Sequence, residues 1–255
     1  IFFDITAFTN LTHDHLDYHK TMDEYFSEKL KLFSLNKDNG SSVVMIDNEY
    51  GKRIAELNSN VKCISLKTED ADYFCTSDSI NNPGIAGTLA WDSKTLDFES
   101  KLIGLFNLEN LILAASIAIE LNISRQFIIE GIKNCENIDG RLHLVKNKSN
   151  QMIFLDYAHS PDAYFRTLKA LKENLSRPLK VLFGAGGGRD KSKRPKMAEV
   201  VEKYSIECYL APDNPRFEDI ELINNDVIKG FSNESHHIFN DRKEALIFAL
   251  TNLPI

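Results

Sequence analysis

Five residues able to hold a cation or move a proton, His13, Asp14, His15, Asp17 and His19, crowd into one short stretch. Imidazole nitrogens and carboxylates are natural ligands of a divalent ion, and a loop can converge them. A solvated polar loop has the same composition, and spacing alone leaves both readings open. A second group, Asp156-Tyr157-Ala158-His159-Ser160-Pro161, sits where an apolar strand meets a helix with proline in its first turn. Ligands of open parallel sheets collect beyond the carboxyl ends of the strands, so Asp156 and His159 are placed to meet one. Ser160 serves as a helix cap in either case. A third run, Gly184-Ala185-Gly186-Gly187-Gly188-Arg189-Asp190-Lys191-Ser192-Lys193-Arg194-Pro195, also follows a strand. Glycines let backbone approach an anion, and Arg189, Lys191, Lys193 and Arg194 bring positive charge. The run is not a G-K-[ST] phosphate loop, because Lys191-Ser192 follows Asp190. It is not G-x-G-x-x-G, because Arg189 takes the last position. Finally, Asp213-Asn214-Pro215-Arg216 offers a planar guanidinium suited to a carboxylate beside an amide that both donates and accepts. Ordinary turn chemistry explains that tetrapeptide equally well.

The elements that must position these residues follow from periodicity and punctuation. Ile1–Ile5 reads as a strand leading to the polar turn at Phe8-Thr9-Asn10-Leu11. Thr21 and Glu24 form a capping box opening a helix that carries Met22, Tyr25, Phe26, Leu30 and Phe33. Strands are expected at Val43–Ile46 and Val61–Leu66, with a short helix at Gly51–Leu57 between them. Residues 73–106 read as a hairpin or small meander with turns at Asn82-Pro83-Gly84 and Asp92-Ser93-Lys94. Two helices follow, Leu108–Leu121 and Ser124–Asn134. Beyond Gly140 the pattern becomes regular. Strands at Leu142–Val145, Met152–Leu155, Leu179–Phe183, Ile206–Leu210 and His236–Phe239 alternate with helices from Pro161, near Pro195–Lys203, at Ile220–Gly230 and from Asp241. That alternation predicts an α/β fold with a mostly parallel sheet and a domain boundary near residue 140.

Composition narrows the function. The 255 residues are 43% hydrophobic and 26% charged, enough to build a packed core. The net charge of −7 lacks the basic footprint of a nucleic-acid binder. No apolar run approaches the roughly 18 residues of a spanning helix, and no signal peptide opens the chain, so neither membrane nor export is expected. Cys63, Cys75, Cys135 and Cys208 lie far apart and read as small buried hydrophobes in a reducing cytoplasm. The chain opens at Ile1 inside an apparent strand, which reads as a piece of something longer.

Taken together, the motifs resemble those of the Mur ligase family, in its diaminopimelate-adding branch. The matching segments, in family order, are Phe8-Thr9-Asn10-Leu11-Thr12 with Asp14-His15-Leu16-Asp17-Tyr18-His19, then Lys29, and Phe106-Asn107 with Asn110. Gly140-Arg141, Asp156-Tyr157-Ala158-His159, Gly186-Gly187 with Arg189-Asp190-Lys191, Lys193-Arg194-Pro195 and Asp213-Asn214-Pro215-Arg216 complete the series. The resemblance implies the carboxyl-proximal part of a central ATPase domain over 1–139 and most of a Rossmann-like amino-acid domain over 140–255. It implies a cytoplasmic, monomeric ligase that uses ATP and Mg²⁺ to join meso-diaminopimelate to UDP-N-acetylmuramoyl-L-alanyl-D-glutamate through an acyl phosphate, in peptidoglycan synthesis. By the same resemblance His15 is a magnesium ligand and Lys29 the lysine that becomes carbamylated. Asn107 and Asn110 lie near adenine, Arg141 contacts nucleotide phosphate, and Asp156 and His159 meet ribose and phosphates. Arg189, Asp213, Asn214 and Arg216 grip the amino acid. Arg216 suits a distal carboxylate that lysine lacks, which favours diaminopimelate.

The departures are specific. No G-K-[ST] loop precedes Phe8, no UDP-holding domain is present, and Pro254-Ile255 falls short of the family's Gly-Lys-Gly-His-Glu strand. His13 stands for a usual arginine, Lys20 for glycine and Ser160 for threonine, and Met45 and Asn48 break an Asn-x-Asp-Asp pattern. The segment is therefore expected not to turn over alone, the alternative being an inactive fragment that retains nucleotide or amino-acid binding. A dinucleotide oxidoreductase lacks both its glycine fingerprint and its ribose-binding acid.

Overall fold

The computed structural model describes residues 1–80, 84–148, 151–175, 177–234 and 236–252. The Asn82-Pro83 portion of the expected turn and Pro254-Ile255 lie outside the described residues. The chain falls into two compact units, one of Ile1–Thr12 with His19–Glu136 and one of His13–Tyr18 with Asn137–Ile255. No described helix is long and apolar enough to cross a membrane.

In chain order, the first unit opens with β1 (Phe3–Phe8), and the short α1 (Leu16–His19) spans the switch between the units. There follow α2 (Met22–Leu30), a 3₁₀ turn (Lys31–Leu35), β2 (Asn36–Met45), α3 (Glu49–Leu57), β3 (Val61–Ser65), β4 (Tyr73–Ser79), β5 (Ile85–Trp91), β6 (Lys94–Ser100), α4 (Leu105–Glu120) and α5 (Arg125–Asn134). The six strands form one sheet in sequence order. β1 to β4 run parallel, and β4, β5 and β6 form the antiparallel meander expected over 73–106. Alternation along β5 buries Ile85, Leu89 and Trp91 against α4, whose Leu108, Leu111, Ile112 and Ala115 share that core. The opposite face packs Phe8, Val44 and Ile54 with Phe26 of α2. Thr21 caps α2 by accepting from the Glu24 amide at 3.1 Å, half of the expected capping box.

Two strands are displaced from expectation. β1 starts at Phe3, not Ile1, because its partner β2 registers Phe3 against Asn36 and Ile5 through Phe8 against Ser41 through Val44. Ile1 is left 98% exposed. β2 in turn begins seven residues before Val43, in a polar run whose place is set by pairing rather than by apolar pattern.

The second unit continues with β7 (His143–Leu144), β8 (Phe154–Leu155), α6 (Pro161–Asn174), β9 (Lys180–Phe183), α7 (Lys193–Tyr204), β10 (Glu207–Leu210), α8 (Ile220–Ile228), β11 (His236–Ile238) and α9 (Arg242–Thr251). β9, β10 and β11 form a parallel sheet in the order β11-β10-β9. The expectation that the strands at 142–145 and 152–155 belong to it is corrected, since they pair with each other, antiparallel. The connection between them is too short for the crossover that parallel neighbours need. Val145 donates to the Ile153 carbonyl at 2.8 Å and closes the hairpin. The edges of β8 and β9 thus face a cavity of about 1240 Å³, walled by Phe154, Leu182, Leu168 of α6 and Leu246 of α9. All four cysteines are free thiols, with Cys75 and Cys208 buried and Cys63 and Cys135 half-buried.

Candidate functional site

At the carboxyl ends of β8, β9 and β10 the cavity is bordered by Asp14, His15, Asp156, His159, Arg189, Asp213, Asn214 and Arg216. Residues from four separate sequence motifs meet there, and at β9 and β10 these are the strand-end loops with which a parallel sheet places ligands.

Asp156 ends β8 and fixes the turn that opens this unit. Its Oδ2 accepts the Leu142 amide at 2.7 Å, and its Oδ1 accepts the Ala158 amide at 2.9 Å and the Thr167 hydroxyl at 3.3 Å. Tyr157 donates from its amide to the Gly140 carbonyl at 2.8 Å. Leu142 is held at φ +47°, a region costly for an L side chain, so this pair of bonds supports real backbone strain. Arg141, between them, lays its guanidinium 5.7 Å from the Tyr157 ring centroid.

His159 lies with Nδ1 3.0 Å from the Tyr157 carbonyl and Nε2 3.2 Å from Asp14 Oδ2. Asp14 is the hub of the loop that precedes α1. It accepts the His15 amide at 2.9 Å and Lys193 Nζ at 3.1 Å. Burial pushes its carboxyl upward, but the charge and hydrogen bond of Lys193 and the amide of His15 outweigh this and hold it below its ordinary value. His13 pairs through Nε2 with Asp190 at 2.9 Å. His15 adopts φ +57° and lies 3.7 Å from the Asp14 carboxylate. His19 instead stacks on Tyr25 in the first unit, with centroids 4.6 Å apart. The side chain of Asp17 lies outside the description. Among the described residues no group of three or more His, Cys, Asp or Glu is gathered as a metal cluster, and His13, Asp14, His15 and His159 are drawn into ion pairs instead.

The glycine loop after β9 and the turn after β10 are stitched together. Gly187 donates to the Asn214 carbonyl at 2.9 Å, and Arg216 donates from Nη1 to the Gly187 carbonyl. A Cβ on Gly187 would stand 1.9 Å from the Pro215 oxygen, so only glycine permits this approach. Arg216 sits at φ +51° with its amide donating to Asn214 Oδ1 at 3.1 Å.

The four basic residues of the glycine turn do not all serve a ligand, as their sequence had implied. Arg194, 1% exposed, is consumed by Glu218 and Asp226, Lys193 by Asp14, and Lys191 by Glu218. Among the described residues Arg189 has no such partner, and its side chain is exposed at the cavity. Sequence reading missed Asp14 as hub and Glu218 as counter-ion. Glu218 was within reach, two residues beyond Arg216, but a lone glutamate carries no spacing signal.

In the first unit, Lys29 is exposed on α2 with Nζ 5.3 Å from the Tyr25 ring centroid. Asn107 is 2% exposed and donates to the carbonyl of Ile103, just before α4, at 2.9 Å, whereas Asn110 lies exposed on the same helix.

Comparison with known proteins fits this architecture. Residues 1–118 match the Mur ligase middle domain, and residues 140–253 match the glutamate ligase domain of Mur ligases. The UDP-N-acetylmuramoyl-L-alanyl-D-glutamate–2,6-diaminopimelate ligase of Prochlorococcus marinus is 38% identical over 255 residues, covering 96% of this chain and 51% of its own length. The ligase of the same name from Fusobacterium nucleatum is 38% identical over 253 residues, covering 97% and 51%. A solved structure of such a diaminopimelate ligase aligns with TM-score 0.60 at 31% identity, over 98% of this chain and 53% of that one. MurF from Acinetobacter baumannii aligns with TM-score 0.77 at 16% identity, over 97% and 53%, a likeness of fold. The chain spans about half the length of the curated relatives it matches. Two successive domain matches, in the order in which the two units follow along the chain, leave one conclusion: the chain belongs to the Mur ligase family.

Proposed function

We propose that this chain supplies the middle and amino-acid-binding parts of an ATP-dependent ligase that joins meso-diaminopimelate to UDP-N-acetylmuramoyl-L-alanyl-D-glutamate in peptidoglycan synthesis. The observation that carries the reading is the pair of arginines at one cavity mouth, Arg189 and Arg216, beside Asp213 and Asn214. Two guanidinium groups match an amino acid with two carboxylates, and Asp213 supplies an anion for an ammonium group. The names of the relatives at 38% identity point to the same substrate.

In this reading the substrate carboxylate attacks the terminal phosphate of ATP, giving an acyl phosphate and ADP. The amine of diaminopimelate then attacks the acyl carbon, the amide forms and inorganic phosphate leaves. Arg141 and His159 bind nucleotide phosphates, with Asp156 fixing their turn, and Asn107 and Asn110 serve the adenine end. By the family resemblance His15 and a carbamylated Lys29 would be the residues to hold Mg²⁺, which would screen the approaching oxygens. The parent protein acts in the cytoplasm as a monomer. In this reading the family's Gly-Lys-Gly-His-Glu strand completes the amino-acid site.

Titration calorimetry of the chain with meso-diaminopimelate and with L-lysine tests the assignment. Diaminopimelate is expected to bind more tightly than lysine, and Arg216→Ala to weaken diaminopimelate at least tenfold. Equal binding by the variant would remove Arg216 from the site.

A further inference from the structure

Beside the Gly187–Asn214 and Arg216–Gly187 bonds, the carboxylate of Glu218 also ties the two ligand-facing loops of the second unit. Its Oε1 accepts Arg194 Nη1 at 2.8 Å and Lys191 Nζ at 2.8 Å. Its Oε2 accepts Arg194 Nη2 at 2.7 Å and the Gly188 amide at 3.0 Å. The Arg194 contact is a two-pronged fork, the strongest geometry available to a guanidinium and a carboxylate. Arg194 itself is 1% exposed and reaches the Gly186 carbonyl at 3.3 Å and Asp226 at 3.1 Å. Of these residues only Gly186 lines the cavity; Glu218, Arg194, Lys191, Gly188 and Asp226 stand behind its wall. They hold the glycine loop on one side and the Asp213–Arg216 turn on the other.

The consequence is geometric. Arg189 follows Gly188, whose amide Glu218 binds, and Arg216 precedes Glu218 by two residues. Glu218 therefore bears on the separation of the two cavity-facing guanidinium groups, through one backbone bond and one short peptide segment, alongside the direct bonds from Gly187 to Asn214 and from Arg216 to Gly187. We propose that Glu218, clamped by Arg194, is a positioning residue that fixes the spacing of Arg189 and Arg216 and so selects an amino acid with two carboxylates over one with a single carboxylate. This rests on the reading that the cavity mouth takes diaminopimelate. A ligand with one carboxylate needs one arginine and is indifferent to the spacing. A ligand with two needs both at once, and a loosened loop costs it the second contact.

The test is calorimetric titration of the whole chain and its Glu218→Gln variant with meso-diaminopimelate and with L-lysine. Glu218→Gln keeps the shape of the side chain and leaves Arg194 its bond to Asp226. Diaminopimelate affinity is expected to fall at least tenfold and lysine affinity to change less than twofold. In an Arg216→Ala background, Glu218→Gln is expected to add no further loss, since the spacing then has only one member. Arg194→Lys, which keeps the charge and removes the fork, is expected to show the same selective loss and serves where Glu218→Gln fails to fold. Equal losses for both amino acids, additive losses in the double variant, or unchanged diaminopimelate binding would each overturn the positioning role. A wild-type chain that binds neither amino acid would instead overturn the diaminopimelate reading, and this inference with it.

Discussion

Lys193 Nζ donates to Asp14 Oδ1 at 3.1 Å, joining the first turn of α7 to a loop 179 positions earlier in the chain. Lys193 is 9% exposed and Asp14 17%, so the pair is largely removed from water. Asp14→Ala would leave a buried ammonium without its carboxylate. Breaking a fully buried pair costs about 3–5 kcal/mol, and the residual exposure here lowers that to roughly 2–3 kcal/mol. The expected outcome is a lower melting temperature, with new protease cleavage between His13 and Tyr18. An unchanged melting curve would show that the loop is held by other contacts.

The same pair sets a pH dependence. The Asp14 carboxyl lies below its ordinary value because Lys193 and the His15 amide outweigh its burial. A depressed acid contributes stability that is fully present above the unfolded value, about 3.9, and is lost as pH falls through the lower folded value. Glu218, held well below the usual range by Arg194, Lys191 and the Gly188 amide, adds to the same acid limb. Melting temperature is therefore expected to be flat above about pH 5 and to fall below about pH 4. The gap between wild type and Asp14→Asn should close across that fall. A gap that stays constant down to pH 2.5, followed by thermal melts in matched buffers, would assign the acid limb elsewhere.

What the sequence revealed, and what it withheld, divides along the range of the interactions. Helix starts at Thr21, Ser160 and Asp241 were legible because each cap is a local bond, at 3.1, 3.3 and 2.8 Å to an amide three residues on. The meander was legible because β5 alternates buried and half-buried positions along its length. The antiparallel β7–β8 hairpin was misread because alternation of elements was weighed above the shortness of their connection. The fates of Lys193 and Arg194 were not legible. A lysine and an arginine beside a glycine loop look like ligand groups until Asp14 and Glu218 arrive from distant segments to neutralise them.

Two neighbouring glycines are expected to answer differently to alanine. At Gly187 a methyl group would stand 1.9 Å from the Pro215 carbonyl oxygen, so the two loops must part. Gly187→Ala is expected to cost more than 2 kcal/mol and to abolish diaminopimelate binding. Gly188 has φ +58° with its nearest outside atom, Arg216 Cδ, 3.5 Å from the added carbon. Gly188→Ala then pays only for the left-handed backbone, about 1–2 kcal/mol, and retains binding. Chemical denaturation of both variants ranks them, and equal losses would contradict the close approach at Gly187.

Arg189 separates binding from folding most cleanly. It is exposed, and among the described residues nothing pairs with its guanidinium, so the folded state gains little from it. Arg189→Ala is expected to shift stability by less than about 0.5 kcal/mol, the usual range for a surface substitution. A charge-assisted contact to a ligand carboxylate is worth roughly 1.5–3 kcal/mol, so diaminopimelate affinity should fall about 10- to 100-fold. Arg216→Ala cannot be read so simply, because it also removes the bond to the Gly187 carbonyl. Measuring melting temperature and calorimetric affinity on the same Arg189→Ala preparation decides the matter. A variant that melts early and binds normally would make Arg189 a structural residue and leave the cavity mouth with a single arginine, which fits lysine as well as diaminopimelate.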